Sequence, residues 1–207
     1  MTRLWTAASF AALVLAWPLN PRAASEAYQI DAAKSRVIIE VGKSGALSFA
    51  AGHKHEVSGP IESGSLDIDL ENPSQSQVSL VIPTSSLKVS GADEPPADRP
   101  KVQEAMESDK VLNIAKYPRI TFTSTSITMK QKTAAALDAI IAGRLTIRDM
   151  TRQVSVPVHV QLSDHSLTAN GQFSVRQTEF GIKPISVSGV VAVKDRLDIN
   201  FSIAARR

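Results

Sequence analysis

Val154-Ser155-Val156-Pro157-Val158-His159-Val160-Gln161-Leu162 sets an apolar residue at every second position, and this stretch decides the fold. Side chains on a strand point alternately to opposite faces, so the segment is a strand with one oily and one wet face. The same period runs through Leu167, Ala169, Phe173 and Val175, and again through Val191, Val193, Leu197, Ile199, Phe201 and Ile203. Upstream it recurs at Leu66, Ile68 and Leu70, at Val78, Leu80 and Ile82, and at Ile120 and Phe122. Roughly eight or more such strands make an antiparallel sheet with a continuous apolar face, which either pairs into a sandwich or closes on itself. A closed barrel of about eight strands can hold one small ligand inside.

Met1 to Arg3 is a short basic start, Leu4 to Trp17 is apolar, and Pro18 breaks the run ahead of small residues that reach Ala27. This is the pattern of a secretory signal peptide over residues 1–27, cut after Ser25 or after Ala27. The apolar run is shorter than the roughly 20 residues a membrane span needs, so stable membrane insertion is not expected. The remaining domain, 28–207, is about 180 residues long and can bury a core as a single all-β unit. The chain has no cysteine. In an oxidising compartment the core must therefore hold the fold without disulfides, and thiol catalysis and thiolate metal sites are excluded. The formal net charge of +3 falls to +1 without Arg3 and Arg22, the two charged residues that precede Glu26. No Lys/Arg cluster interleaved with aromatics is present, so a nucleic-acid partner is not expected.

Ala92 to Pro100 interrupts the strand rhythm, and Lys101 to Ser108 follows with Val102, Ala105 and Met106 at helical spacing. Asp98, ahead of Arg99 and Pro100, is a candidate N-cap with proline in the first turn. One short helix is expected against the sheet or across an open end, as a plug that completes the core or as a lid over a cavity. Lys130 to Ala136 reads as a hairpin tip.

Tyr117 to Ile127 (Tyr-Pro-Arg-Ile-Thr-Phe-Thr-Ser-Thr-Ser-Ile), Gly143-Arg-Leu-Thr-Ile, Thr151-Arg-Gln-Val-Ser-Val-Pro-Val, the stretch from Phe173 to Glu179-Phe-Gly-Ile182, and the opening Tyr28-Gln-Ile-Asp occur in an order and spacing that resembles the YceI-like family. The resemblance runs from Tyr28 to about Ala205. It implies an extended, lipocalin-like antiparallel β-barrel whose apolar interior takes a polyisoprenoid or another long-chain lipid. The inward-facing set expected to meet such a chain is Phe122, Leu145, Ile147, Val156, Val158, Phe173, Val175, Ile199 and Phe201, with Phe180 near a strand end. Alternation alone would equally describe a filled barrel. The sequence departs from the family pattern at Val102-Gln103, where many members carry an arginine-aspartate pair, at Val111 before the Tyr-Pro turn, and at Lys34-Ser35. These departures bear on head-group contacts and not on the fold.

Gly52-His53-Lys54-His55 places two histidines at i and i+2, on one face of a strand, where they can meet an anionic head group or, alternatively, chelate a metal or haem iron. A third ligand would be needed for a catalytic zinc, and His159 and His165 are the other histidines. No Gly-x-Ser-x-Gly elbow, His-Glu-x-x-His or phosphate-binding glycine loop occurs. Asp67 and Asp69 read as a solvated stripe, and Arg148, Arg152 and Lys183 as turn cations, one of which could meet a phosphate at the barrel mouth. The expectation is thus a periplasmic or secreted, non-enzymatic lipid-binding barrel without a cofactor, with a homodimer left open. A histidine-based metal or haem protein and a filled-core structural or stress-related interaction module are the alternatives.

Overall fold

The computed structural model describes residues 25–44, 54–91, 95–187 and 191–207. The expected leader up to residue 24 and His53 lie outside these residues. The described chain forms β1 (Glu26–Ile30), β2 (Arg36–Ser44), β3 (His55–Pro60), β4 (Ser63–Ile68), β5 (Gln77–Pro83), β6 (Lys88–Val89), α1 (Arg99–Glu107), β7 (Arg119–Lys132), β8 (Ala136–Ile147), β9 (Met150–Ser163), β10 (Ser166–Arg176), β11 (Ser186–Val187) and β12 (Val191–Arg206). Every pairing is antiparallel. The ring β1-β4-β5-β7-β8-β9-β10-β12 closes because β1 also pairs with β12, giving the eight-stranded barrel with one helix that alternation and resemblance anticipated.

Three walls of the barrel are broken strands. β1 and β2 lie end to end along one edge of β12, which pairs Ala205 with Ile30 and Ser202 with Arg36. β4 and β3 follow one another in the next wall, and β5 and β6 in the third. The breaks fall at one level and are stitched by side chains. The Ser35 hydroxyl donates to the Ala204 carbonyl (3.2 Å) and accepts from the Ala204 N–H (3.0 Å), while Ile61 N–H donates to the Ser35 carbonyl. Thr84 donates its N–H to the Pro118 carbonyl and its hydroxyl to the Tyr117 carbonyl. All four groups at these breaks (Ser35, Ile61, Thr84 and Leu87) are buried, so their polar atoms need these partners.

The breaks divide the interior into two halves. Met106 of the helix, Leu112, Ile120, Ile147, Phe180 and Ile199 belong to one packed cluster, and Tyr28, Leu66, Val78, Val158, Leu167 and Ile203 to the other. Ile82, Phe122, Val154 and Phe173 touch both and form the partition between them. The helix starts two residues before the expected Lys101. Asp98 stands at its N-cap position but makes no capping hydrogen bond and instead pairs with Lys101 at 3.6 Å. Because Met106 packs into the first cluster, α1 plugs that end. It is not a lid over the cavity described below, which occupies the other half. Among the described residues no helix is long and apolar enough to cross a membrane.

Candidate functional site

An apolar cavity of about 110 Å³ lies in the second half of the barrel. Seven of the ring strands contribute to it: Leu66 and Ile68 from β4, Val78 and Leu80 from β5, Ile127 and Met129 from β7, Leu137 and Ile141 from β8, Val160 and Leu162 from β9, Leu167 from β10 and Ile203 from β12 all line it. Ala139 and Ala169 stand where larger side chains would fill the space. The ring of Phe201 comes so close over Gly171 that a β-carbon there would stand 2.5 Å from it, and the ring of Phe122 covers Gly143 in the same way. These two glycines therefore make room for the two rings that close the cavity toward the filled half.

Apart from Asp69 and Ser76 the lining is hydrocarbon. Asp69 was expected in a solvated stripe, yet it is 3% exposed. β4 ends at Ile68, and the Asp69 carboxylate accepts the N–H groups of Glu71 (3.0 Å) and Asn72 (2.7 Å), while Asp69 N–H donates to the Ser76 hydroxyl (2.9 Å). The aspartate thus shapes the β4–β5 turn at the cavity end. The rim there also includes the β7–β8 tip, where Lys132 Nζ bonds the Leu70 carbonyl at 2.8 Å and pairs with Glu71 at 3.3 Å. Arg207 joins the same end, pairing with Glu26 and donating to the Asp164 carbonyl.

Four of the expected contact residues, Phe122, Val156, Val158 and Phe201, line this cavity. Leu145, Ile147, Val175, Phe180 and Ile199 point inward too, but into the filled half, and Phe173 lies at the partition. Period-two alternation tells inward from outward and says nothing of height along the barrel. Ile127 and Met129 escaped the sequence reading for a different reason. β7 carries an irregularity between Ser124 and Ser126, where the extra residue Thr125 stands opposite no single residue of β8 and the inward phase moves from even to odd numbers.

His55 stands away from the cavity. It pairs with Val41, which is level with Leu197 and Val175 in the filled half, and it lines a groove of about 620 Å³ with Lys54, Glu56, Lys194, Arg196 and Asp198. Arg148 is likewise remote from the rim: its guanidinium lies 5.5 Å from the Tyr117 ring centre, and the Tyr117 hydroxyl donates to Asp149 (2.9 Å), which holds that carboxyl below the ordinary carboxylate range. Among the described residues no three His, Cys, Asp or Glu side chains are arranged to hold a metal ion.

A closed antiparallel barrel with a hydrocarbon-walled cavity in one half is a lipocalin-like architecture. The YceI-like domain model matches residues 28–205, and the chain belongs to that family. Protein YceI of Salmonella arizonae and of Salmonella newport are each 37% identical over 93 residues, which is 45% of this chain and 42% of theirs. The match thus spans less than half the length of these curated relatives. BcnA of Burkholderia cenocepacia shares the fold with a TM-score of 0.63 at 19% identity, over 84% of this chain and 98% of BcnA. A polyisoprenoid binding domain from Saccharophagus degradans, implicated in plant cell wall breakdown, shares it at 0.58 and 13% identity, over 86% and 97%.

Proposed function

We propose that this protein is an exported, non-catalytic carrier that binds a long-chain amphiphile, an isoprenoid or similar, by burying the end of its tail in the hollow half of the barrel. The observation that carries this reading is the hydrocarbon-lined cavity of about 110 Å³. An apolar cavity of about 150 Å³ takes one benzene, so this one matches about one isoprene unit and not a whole tail. Each methylene buried there contributes about 0.8 kcal/mol without any directed hydrogen bond, so the walls select for hydrocarbon and leave the head group to the rim. Lys132 and Arg207, cations at that end, are the groups we assign to an anionic head group. Export to the periplasm or beyond is supported by the basic, apolar and small-residue succession of residues 1–27.

Native mass spectrometry of the protein taken from its own envelope, together with titration of a fluorescent polyprenol, tests the reading. A retained lipid mass and saturable binding at micromolar concentration are expected, and Phe201→Glu should abolish the binding because it sets an unpaired charge against the cavity. A folded protein that carries no lipid and binds no long-chain probe at these concentrations would remove the proposal.

A further inference from the structure

The barrel wall has an open seam. β9 and β10 pair from Ser163 and Ser166 as far as Val158 and Gly171, and there the ladder stops, although β9 continues to Met150 and β10 to Arg176. Each strand stays bound to its other neighbour, β9 to β8 through Met150 and β10 to β12 through Arg176. A cleft of about 420 Å³ opens between them, with Val154, Phe173 and Val175 on its apolar side and Ser155 and Ser174 among its polar residues.

The cause is local. The Pro157 carbonyl points at Gly171 so closely that a β-carbon on Gly171 would stand 2.5 Å from it, which shows that residue 157 turns its backbone toward β10. Proline has no N–H to give there, and the ladder ends at this step. Farther along, the Arg176 N–H, which would continue the ladder, is taken by the Glu179 carboxylate at 3.1 Å. An added strand would thus find one donor missing and another already bonded, which disfavours strand addition. A hydrocarbon chain needs neither. The cleft leads inward to Phe173, which touches both halves of the core, and neighbouring Val156 already lines the cavity.

Building on the carrier reading, we propose that this seam is a lateral port for the lipid tail: a chain too long for the cavity passes between β9 and β10, with Phe173 as the gate. Ser155 and Ser174 stand opposite one another if the register of the paired part is extended. The protein has no other cysteine, so Ser155→Cys with Ser174→Cys in the full chain can be closed by oxidation, or by a bis-maleimide where the gap is wider than a disulfide allows.

Stopped-flow loading of prenol, a single-isoprene, five-carbon alcohol, and of a long polyprenol is then compared with the seam free and closed. The port predicts that closure slows polyprenol loading at least tenfold, leaves prenol unchanged, and is reversed by reductant in the disulfide form. Phe173→Ala should speed polyprenol loading in the open form. Polyprenol loading that ignores both closure and Phe173→Ala would overturn the port while leaving the carrier reading intact. A protein that takes up neither probe removes both. A concentration-dependent dimer lost on closure would assign the seam to a second copy of the chain and overturn the port as well.

Discussion

Asp195 shows how a single carboxylate fastens the filled end. Its oxygens accept the Thr178 N–H at 2.9 Å and the Thr178 hydroxyl at 2.8 Å, and these bonds, led by the backbone one, hold its carboxyl below the ordinary range despite some desolvation. A carboxyl whose native pKa is depressed adds stability that is complete above its unfolded value, about 3.9, and is lost as pH falls through the native value. Asp195→Asn should therefore unfold at lower urea than the parent at pH 7, with a smaller gap at about pH 3, below the unfolded value. An equal gap at both values would show that the charge is not what matters. Asp198 follows the same rule, lowered first by the Ser174 hydroxyl at 2.7 Å and then by Arg196 at 2.8 Å.

Elements show where reading along the chain succeeds and where it stops. The alternation from Val154 to Leu162 is the inner face of β9, and the expected hairpin tip at Lys130 to Ala136 is the turn where Thr133 N–H meets the Ala136 carbonyl. Local pattern sufficed for both. It failed at Ile127 and Met129, because one extra residue resets the phase, and at Asp69, because the strand ended one residue earlier. Gln103 is a third case. At a position where the family often carries an ion-pairing residue, its amide accepts the Val89 N–H and donates to the Leu87 carbonyl, both at 2.9 Å, and so stands in for a missing strand beside β6. Gln103→Ala should leave both groups without protein partners and lower stability by about 1–3 kcal/mol. The corresponding fall in melting temperature, roughly 2–4 °C per kcal/mol for a chain of this size, is readable by calorimetry. An unchanged melting temperature would mean that water replaces the amide.

At the scale of the whole molecule, the interior of one barrel holds two hydrophobic clusters, and the apolar cavity lies within one of them. The sequence could not divide them, because Leu145 and Val158 obey the same alternation yet belong to different clusters. The division is testable by filling the hollow half. Ala169 lines the cavity and is nearly fully buried, and Ala169→Leu should keep or raise the melting temperature while weakening binding of the fluorescent polyprenol about tenfold, or about 1.4 kcal/mol. A loss of stability with unchanged binding would place the ligand elsewhere.

The ring closes where Gln29 meets Arg206 and Ile30 meets Ala205. These partners are nearly the whole chain apart, and at roughly 5–20 residues per second a ribosome finishes the last strand on the order of ten seconds or more after the first. Until then no arrangement of the nascent polypeptide can complete the barrel, and the first strand waits for its final neighbour. Such a late lock delays folding, since distant pairings form slowly. It also leaves the barrel open along one edge until its last strand has been made.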